Sequence, residues 1–253
     1  MNARNTLGVP RRRLRIIWRY LTNPIGTIIF ATFWVRCVLF EGTFRTPLRH
    51  RCPLWVLKTA MRSAEDSGIE VWVYGGTMLG ALRSHSFAGR PNDIDLLVCI
   101  EDIPEYLGVL TTNLRCTSRG LRYLARVGLV HVHVWQRPHV NNRWFVGLRF
   151  GSQSPTIGVV KIEVMGLTKK SAHQTSVGEF PGVVNQGQPV VLPWSDFSMP
   201  LETSVYGIII RVPGSAEQYL EQIYGPRWMI PLDARAWLSE ARFVFRDPKG
   251  FAD

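Results

Sequence analysis

Two aspartates separated by one isoleucine open a run that is otherwise apolar: Asp93-Ile94-Asp95-Leu96-Leu97-Val98-Cys99-Ile100. Hydrophobicity this dense over so short a stretch predicts a buried strand over Asp93 to Ile100. Side chains alternate faces along a strand, so both carboxylates point the same way, close together at its start. Like charges so placed are costly unless a cation compensates them. Hard carboxylate oxygens suit Mg²⁺ (or Mn²⁺), which takes one or two protein carboxylates together with substrate phosphates. A bare Asp-x-Asp, however, is more often a strand cap beside a solvated acid.

The residues before the pair change that balance. Glu70 to Tyr74 predicts a strand, Gly75-Gly76 a tight turn, Thr77 to Ser84 a helix and His85 to Asn92 a polar loop. Two glycines let a backbone approach a ligand closely and leave N–H groups exposed at a helix N-terminus, which suits a phosphate. Strand, Gly-Gly, helix, loop and Asp-x-Asp strand together place a phosphate cradle and a metal pair on neighbouring strands. A third acid is expected from a later strand. Glu163, in the predicted strand Ile157 to Met165, sits within Val160-Lys161-Ile162-Glu163-Val164. It reads as a third metal ligand or as the base for an acceptor hydroxyl, with Lys161 on its face. A solvated Lys–Glu face is the plainer alternative.

Tyr74-Gly75-Gly76-Thr77-Met78-Leu79-Gly80-Ala81-Leu82-Arg83, then Phe87, then Asp93-Ile94-Asp95 resembles the signature of the LicD/fukutin family. The 16 residues between Gly76 and Asp93 agree with that family's spacing. A second similarity runs through Val212-Pro213, Tyr219-Leu220, Tyr224-Gly225, Trp228 and Pro231. The resemblance implies a nucleotidyltransferase-like fold. It also implies transfer of a phospho-alcohol from a CDP-linked donor, such as CDP-choline or CDP-ribitol, to a sugar hydroxyl of a cell-surface glycan or glycolipid. By position, Asp93 and Asp95 match the metal-binding acids, and Gly75, Gly76 and Thr77 match the turn at the donor phosphates. Arg83 matches the motif arginine and, with Lys161, is a candidate phosphate partner. Tyr224 and Trp228 are candidate donor or acceptor contacts.

Two departures stand out. Arg90-Pro91-Asn92 occupies the place of the family's Trp-Asp-Asp, and the later acid is Glu163 rather than Asp. Two other readings therefore stay open. One is transfer of the nucleotide itself, as an NMP, to a small molecule or protein. The other is a catalytically degenerate nucleotide-binding protein.

The net charge of +11 on 253 residues raises nucleic acid as a partner, but its placement argues against it. Residues 1–51 hold ten arginines and one acid, Glu41, so the remaining 202 residues carry only two of the eleven net charges. A nucleic-acid binder more often spreads its charge over the folded body. A basic arm suits anionic lipid headgroups at least as well. Behind Arg11-Arg12-Arg13-Leu14-Arg15 lies the apolar stretch Ile25 to Phe40, interrupted by Arg36. Its longest run without a charge is 11 residues, Ile25 to Val35, short of the ~20 a spanning helix wants. A helix lying in a membrane interface, a helix packed as ordinary core, and an anchor or signal peptide all remain open. The chain accordingly divides into a basic and apolar arm, 1–52, and a catalytic domain, 53–253. Its expected location is cytoplasmic and membrane-associated, or else membrane-anchored with a lumenal catalytic domain.

The rest of the sequence predicts α+β architecture with a mixed sheet flanked by helices. Helices are expected over Pro53 to Ala64, Pro104 to Leu114, Ser215 to Tyr224 and Asp233 to Phe243. Val127 to Trp135 and Trp144 to Phe150 read as a hairpin, and Thr168 to Pro200 as loop with short strands. Cys37, Cys52, Cys99 and Cys116 lack metal-site spacing and read as free thiols. His131 and His133 alternate on one strand face near His139, and read as surface histidines rather than metal ligands.

Overall fold

The structure, a computed structural model, describes residues 23–231 apart from 90, 92, 117, 137–141, 152–156, 159–160, 173–174 and 186–187. The Asp-x-Asp strand, β2 (Asp93–Cys99), lies inside the sheet between β1 (Val71–Val73), to which it is antiparallel, and β6 (Lys161–Ala172), to which it is parallel. Ile94, Leu96, Leu97 and Val98 are all fully buried, so both faces of β2 are covered beyond its acidic start. That is why the run reads as continuously apolar. The order continues from β6 to β4 (Arg143–Phe150) and β3 (Val130–Gln136), both antiparallel, with β5 (Ile157–Gly158) on β4. The sheet is mixed and the architecture α+β, as expected.

Helices divide between the two faces. On the face of Ile94, Ile162 and Phe150 pack α1 (Pro24–Phe40) and α2 (Leu48–Ser67). Phe33 of α1 lies 4.9 Å from Trp55 of α2 and 5.4 Å from Phe150, ring centre to ring centre. Also here are α4 (Ile103–Cys116), tied to α2 by the Tyr106 hydroxyl on the Ala60 carbonyl, and α5 (Arg119–Arg126). The aspartate face carries α3 (Gly75–Ser84), the short α6 spans Ser195–Ser198, and α7 (Ala216–Tyr224) packs on α3. Asn23 caps α1 through its side-chain oxygen on the Gly26 N–H at 2.9 Å, and Pro24 occupies the first turn.

Several expectations are corrected. Helix α2 begins at Leu48, not Pro53, so Pro53 lies inside it and forfeits one backbone hydrogen bond. Burial of Cys52, Leu54, Trp55, Val56 and Leu57 against the sheet outweighs that loss. Helix α3 starts two residues early, at Gly75. The 168–200 stretch is largely strand: β6 runs on to Ala172 and pairs with β7 (Thr175–Asn185), which pairs with β8 (Gln188–Pro193). Its Gly and Pro content leaves a register shift between Glu179 and Val184, around Pro181, rather than a loop. The hairpin β9 (Leu201–Val205) and β10 (Ile208–Val212) turns on Tyr206-Gly207, both at positive φ. The helix expected over Asp233 to Phe243 lies outside the described residues.

That hairpin steadies the loop leading to Asp93. The Tyr206 N–H donates to the His85 carbonyl at 2.9 Å. His50 Nε2 lies 2.7 Å from the Gly89 carbonyl oxygen, and its Nδ1 is 2.5 Å from the Tyr206 hydroxyl. A carbonyl only accepts, so Nε2 carries the proton and Nδ1 accepts from Tyr206. Burial lowers the His50 pKa, in keeping with a neutral ring. Gly80 lets α3 lie against this loop: a β-carbon there would overlap the backbone of Ser86, Phe87 and Ala88, meeting the Phe87 carbonyl carbon at 2.6 Å. Gly80→Ala is therefore expected to lower unfolding stability by about 1–3 kcal/mol, measured by chemical denaturation. An unchanged denaturation midpoint would show that the helix does not need this close approach.

Candidate active site

Parallel pairing sets Asp95 directly opposite Glu163, and Asp93 opposite Lys161. In-register neighbours share a sheet face. One row thus runs Asp95, Glu163, Phe145, Trp135 across four strands. One oxygen from each of Asp93, Asp95 and Glu163 lies within 4.8 Å of the other two, and among the described residues this is the one such three-ligand cluster. Oxygens bound to an ion with bonds of about 2.1 Å stand about 3–4 Å apart, so these acids are a short rotamer adjustment from a closed set.

Asp95 is the most constrained of the three. Its Oδ2 accepts from the Thr77 N–H at 3.2 Å and the Thr77 hydroxyl at 3.4 Å, and the Gly76 N–H also bonds to the carboxylate. In return the Asp95 N–H donates to the Thr77 hydroxyl oxygen at 3.0 Å. The N-terminus of α3 therefore points its donors at Asp95. Gly75 takes φ +56°, and a β-carbon there would approach the Asp95 Oδ2 to 2.9 Å, so glycine meets both demands. Burial, then the charges of Asp93 and Glu163, raise the Asp95 pKa from 3.8 to about 8 despite those hydrogen bonds. Without a compensating cation this carboxyl holds its proton near neutrality.

Glu163 is held differently. Its Oε1 accepts from the Tyr74 hydroxyl at 2.7 Å and pairs with Arg143 Nε at 3.1 Å. Both partners are buried, and Arg143 opens β4. Burial raises the Tyr74 pKa well above the usual phenol value, with Glu163 and Asp95 adding to it and Arg143 opposing. Tyr74 and Arg143 are the site residues that sequence reasoning missed. Arg143 heads an apolar strand just as Glu163 interrupts one, and that shared oddity was the available signal.

The other candidates fall at varying distances from the acids. Gly76, Thr77, Asp93 and Asp95 line a cleft of about 130 Å³ with Phe87, Ala88 and Pro91. The Lys161 ammonium lies over the Phe145 ring, 5.3 Å from its centre. Arg83 sits in the last turn of α3, half-buried, its pKa lowered by burial and raised by Tyr224. Tyr224, at the end of α7, has its pKa raised by burial first and by Asp95 next, with Arg83 opposing. It therefore joins the C-terminal helix to the aspartate face electrostatically. Trp228 packs half-buried against the core beyond α7. Arg90 and Asn92 lie outside the described residues, as does His139. His131 bonds the Gly128 carbonyl and His133 stacks on Trp135, as surface histidines would. All four cysteines are free.

Part of this geometry lies within a segment that is similar to a known family. Residues 68–153 match the family model described as LicD/FKTN/FKRP, nucleotidyltransferase domain. The match covers about a third of the chain and supports the resemblance to the LicD family over that segment. The segment includes both aspartates, Tyr74 and Arg143, and stops before Glu163 and the second motif. A comparison with curated proteins finds no match. The family suggests a transferase, of phosphotransferase type acting on glycans, and is metal-dependent in general. The three clustered carboxylates, one of them held protonated without a cation, are a donor set that fits a divalent ion.

Asp95 makes one pH dependence testable. The folded chain keeps its proton over the range where the unfolded chain has lost it, so stability from this group declines as pH rises from 3.8 to about 8. Thermal unfolding of the metal-free protein should show that decline, and Asp95→Asn should flatten it. A divalent cation should raise the melting temperature most at the upper end of the interval. Equal stabilisation at both ends would mean that the ion does not displace this proton.

Proposed function

We propose that this protein transfers a phospho-alcohol group from a CDP-linked donor to a sugar hydroxyl of a glycan or glycolipid, using Mg²⁺ held by Asp93, Asp95 and Glu163. The observation that supports it most is the convergence of those three carboxylates beside the N-terminus of α3. A bound divalent ion would offset the negative charge that builds on the phosphate oxygens. We read the fold as nucleotidyltransferase-like and residues 53–253 as the catalytic unit.

In this reading, the acceptor oxygen bonds to the phosphorus that carries the alcohol, and the bond from that phosphorus to CMP breaks. The acceptor's proton passes to an aspartate. Glu163 is the poorer base, because Tyr74 and Arg143 already engage its Oε1. Gly76 and Thr77 orient Asp95 and line the cleft floor. The cleft of about 130 Å³ takes an ion and a phosphate group. It is smaller than the ~300–1,000 Å³ typical of a whole-ligand pocket, so the rest of the donor lies outside it. Arg83 and Lys161 supply positive charge on the flanks, and Tyr224 and Trp228 contact donor or acceptor.

The family model's own description keeps one second reading alive, transfer of the nucleotide as an NMP to a small molecule or protein. Incubation with a panel of CDP-linked alcohols, Mg²⁺ and glycan acceptors separates the two by product mass. A gain of phospho-alcohol supports the proposal, and a gain of nucleotide replaces it. Asp93→Asn and Asp95→Asn should each abolish turnover while leaving the circular dichroism spectrum unchanged. Full turnover by either variant would remove the metal assignment.

A further inference from the structure

Helix α1 is apolar on two sides. Gly26, Phe33 and Cys37 face the core and are buried there. Ile25, Ile28, Val35 and Leu39 recur at intervals of three, seven and four residues, which places them on the side away from that core. They are exposed, Ile28 and Leu39 each to 66%. Phe40 at 73% and Phe44, fully exposed, extend the patch past the helix end. Exposed apolar surface this continuous marks a binding face. No helix among the described residues is long and apolar enough to cross a membrane.

Charge chooses the occupant. The 23 residues before α1 carry six arginines and no acid, and α1 adds only Arg36. Such a segment is attracted to anionic headgroups, and an adjoining apolar stripe inserts at the headgroup and acyl boundary. The same segment is poorly suited to cover the stripe itself. Arginines at 11, 12, 13, 15 and 19 leave no apolar run of matching length, and packing them on an apolar face would strip water from charge. A second copy of the chain would bring a second strongly basic segment to the same place, against Coulomb repulsion.

We infer that the outer face of α1, from Ile25 to Leu39 with Phe40 and Phe44, docks in the plane of an anionic lipid surface. The body of the protein takes the place of the polar face that a lone interfacial helix would need. Helix α1 starts where the Asn23 amide donates to the Phe150 carbonyl at 3.2 Å. Phe150 ends β4, beside the end of the sheet where β2 and β6 begin. The docking itself does not depend on the reaction proposed above.

The full-length chain should co-sediment with vesicles of phosphatidylglycerol and phosphatidylcholine in equal parts, and much less with phosphatidylcholine alone. Salt should weaken the binding. Ile28→Asp combined with Leu39→Asp should lower the vesicle partition coefficient at least about tenfold, at an unchanged melting temperature, since both side chains are exposed. Arg11, Arg12 and Arg13→Gln should lower binding to the anionic vesicles only. Three results would each overturn the inference. One is no vesicle binding by the wild-type chain. Another is equal binding by the double aspartate variant. The third is a wild-type dimer in solution that this variant turns into a monomer, because a second copy would then be the occupant.

Discussion

The site depends on where the negative charge of Asp95 is accommodated. It stands at the head of a buried strand, opposite Glu163 and two residues from Asp93, where burial and both neighbours oppose ionisation. The opposing pull comes from backbone. The start of α3 directs the N–H groups of Gly76 and Thr77 at this carboxylate, and the helix dipole adds its positive end. The compensation is incomplete, since the pKa still rises to about 8. A site left short of positive charge in this way is prepared for a cation.

That requirement explains the glycines. Gly75 combines a left-handed backbone with an approach to Asp95 that leaves no room for a side chain. Gly80, one and a half turns on, lets the helix lie directly on the loop of residues 85–89. The loop is in turn tied by His50 and Tyr206 to α2 and to the β9–β10 hairpin. Three separated stretches of chain, α3 with its following loop, α2 and the β9–β10 hairpin, thus hold the approach to Asp93 in place. Glu163 is supported by different means, through the buried Arg143 and Tyr74. An ion pair of this kind contributes little to net stability once desolvation is counted, so holding a carboxylate in place is the better account of it.

Much of this was legible in the residues. The period-2 pattern of β2, the Gly-Gly turn and the odd acid in β6 pointed to three carboxylates that the fold does bring together. The residues also pointed to the α+β class and the β3–β4 hairpin. What went wrong locally went wrong for a tertiary reason. Pro53 signalled a helix start, yet core packing carried α2 five residues further back. The Gly and Pro residues of 168–200 signalled loop, yet pairing between β6, β7 and β8 kept the stretch extended.

Sequence by itself determined the chemistry on offer: which side chains are acids, which backbone positions are free of a β-carbon, and which face of each strand they share. Those properties are local, set by side-chain type and by the two-residue and 3.6-residue periods of strand and helix. Only the tertiary structure decided that Glu163 lies opposite Asp95 rather than elsewhere along β2, that Arg143 and Tyr74 hold it, and that α3 gives its N–H groups to Asp95. It likewise decided which side of α1 is covered. Each of these depends on register and packing between segments tens of residues apart, and no local period carries that information.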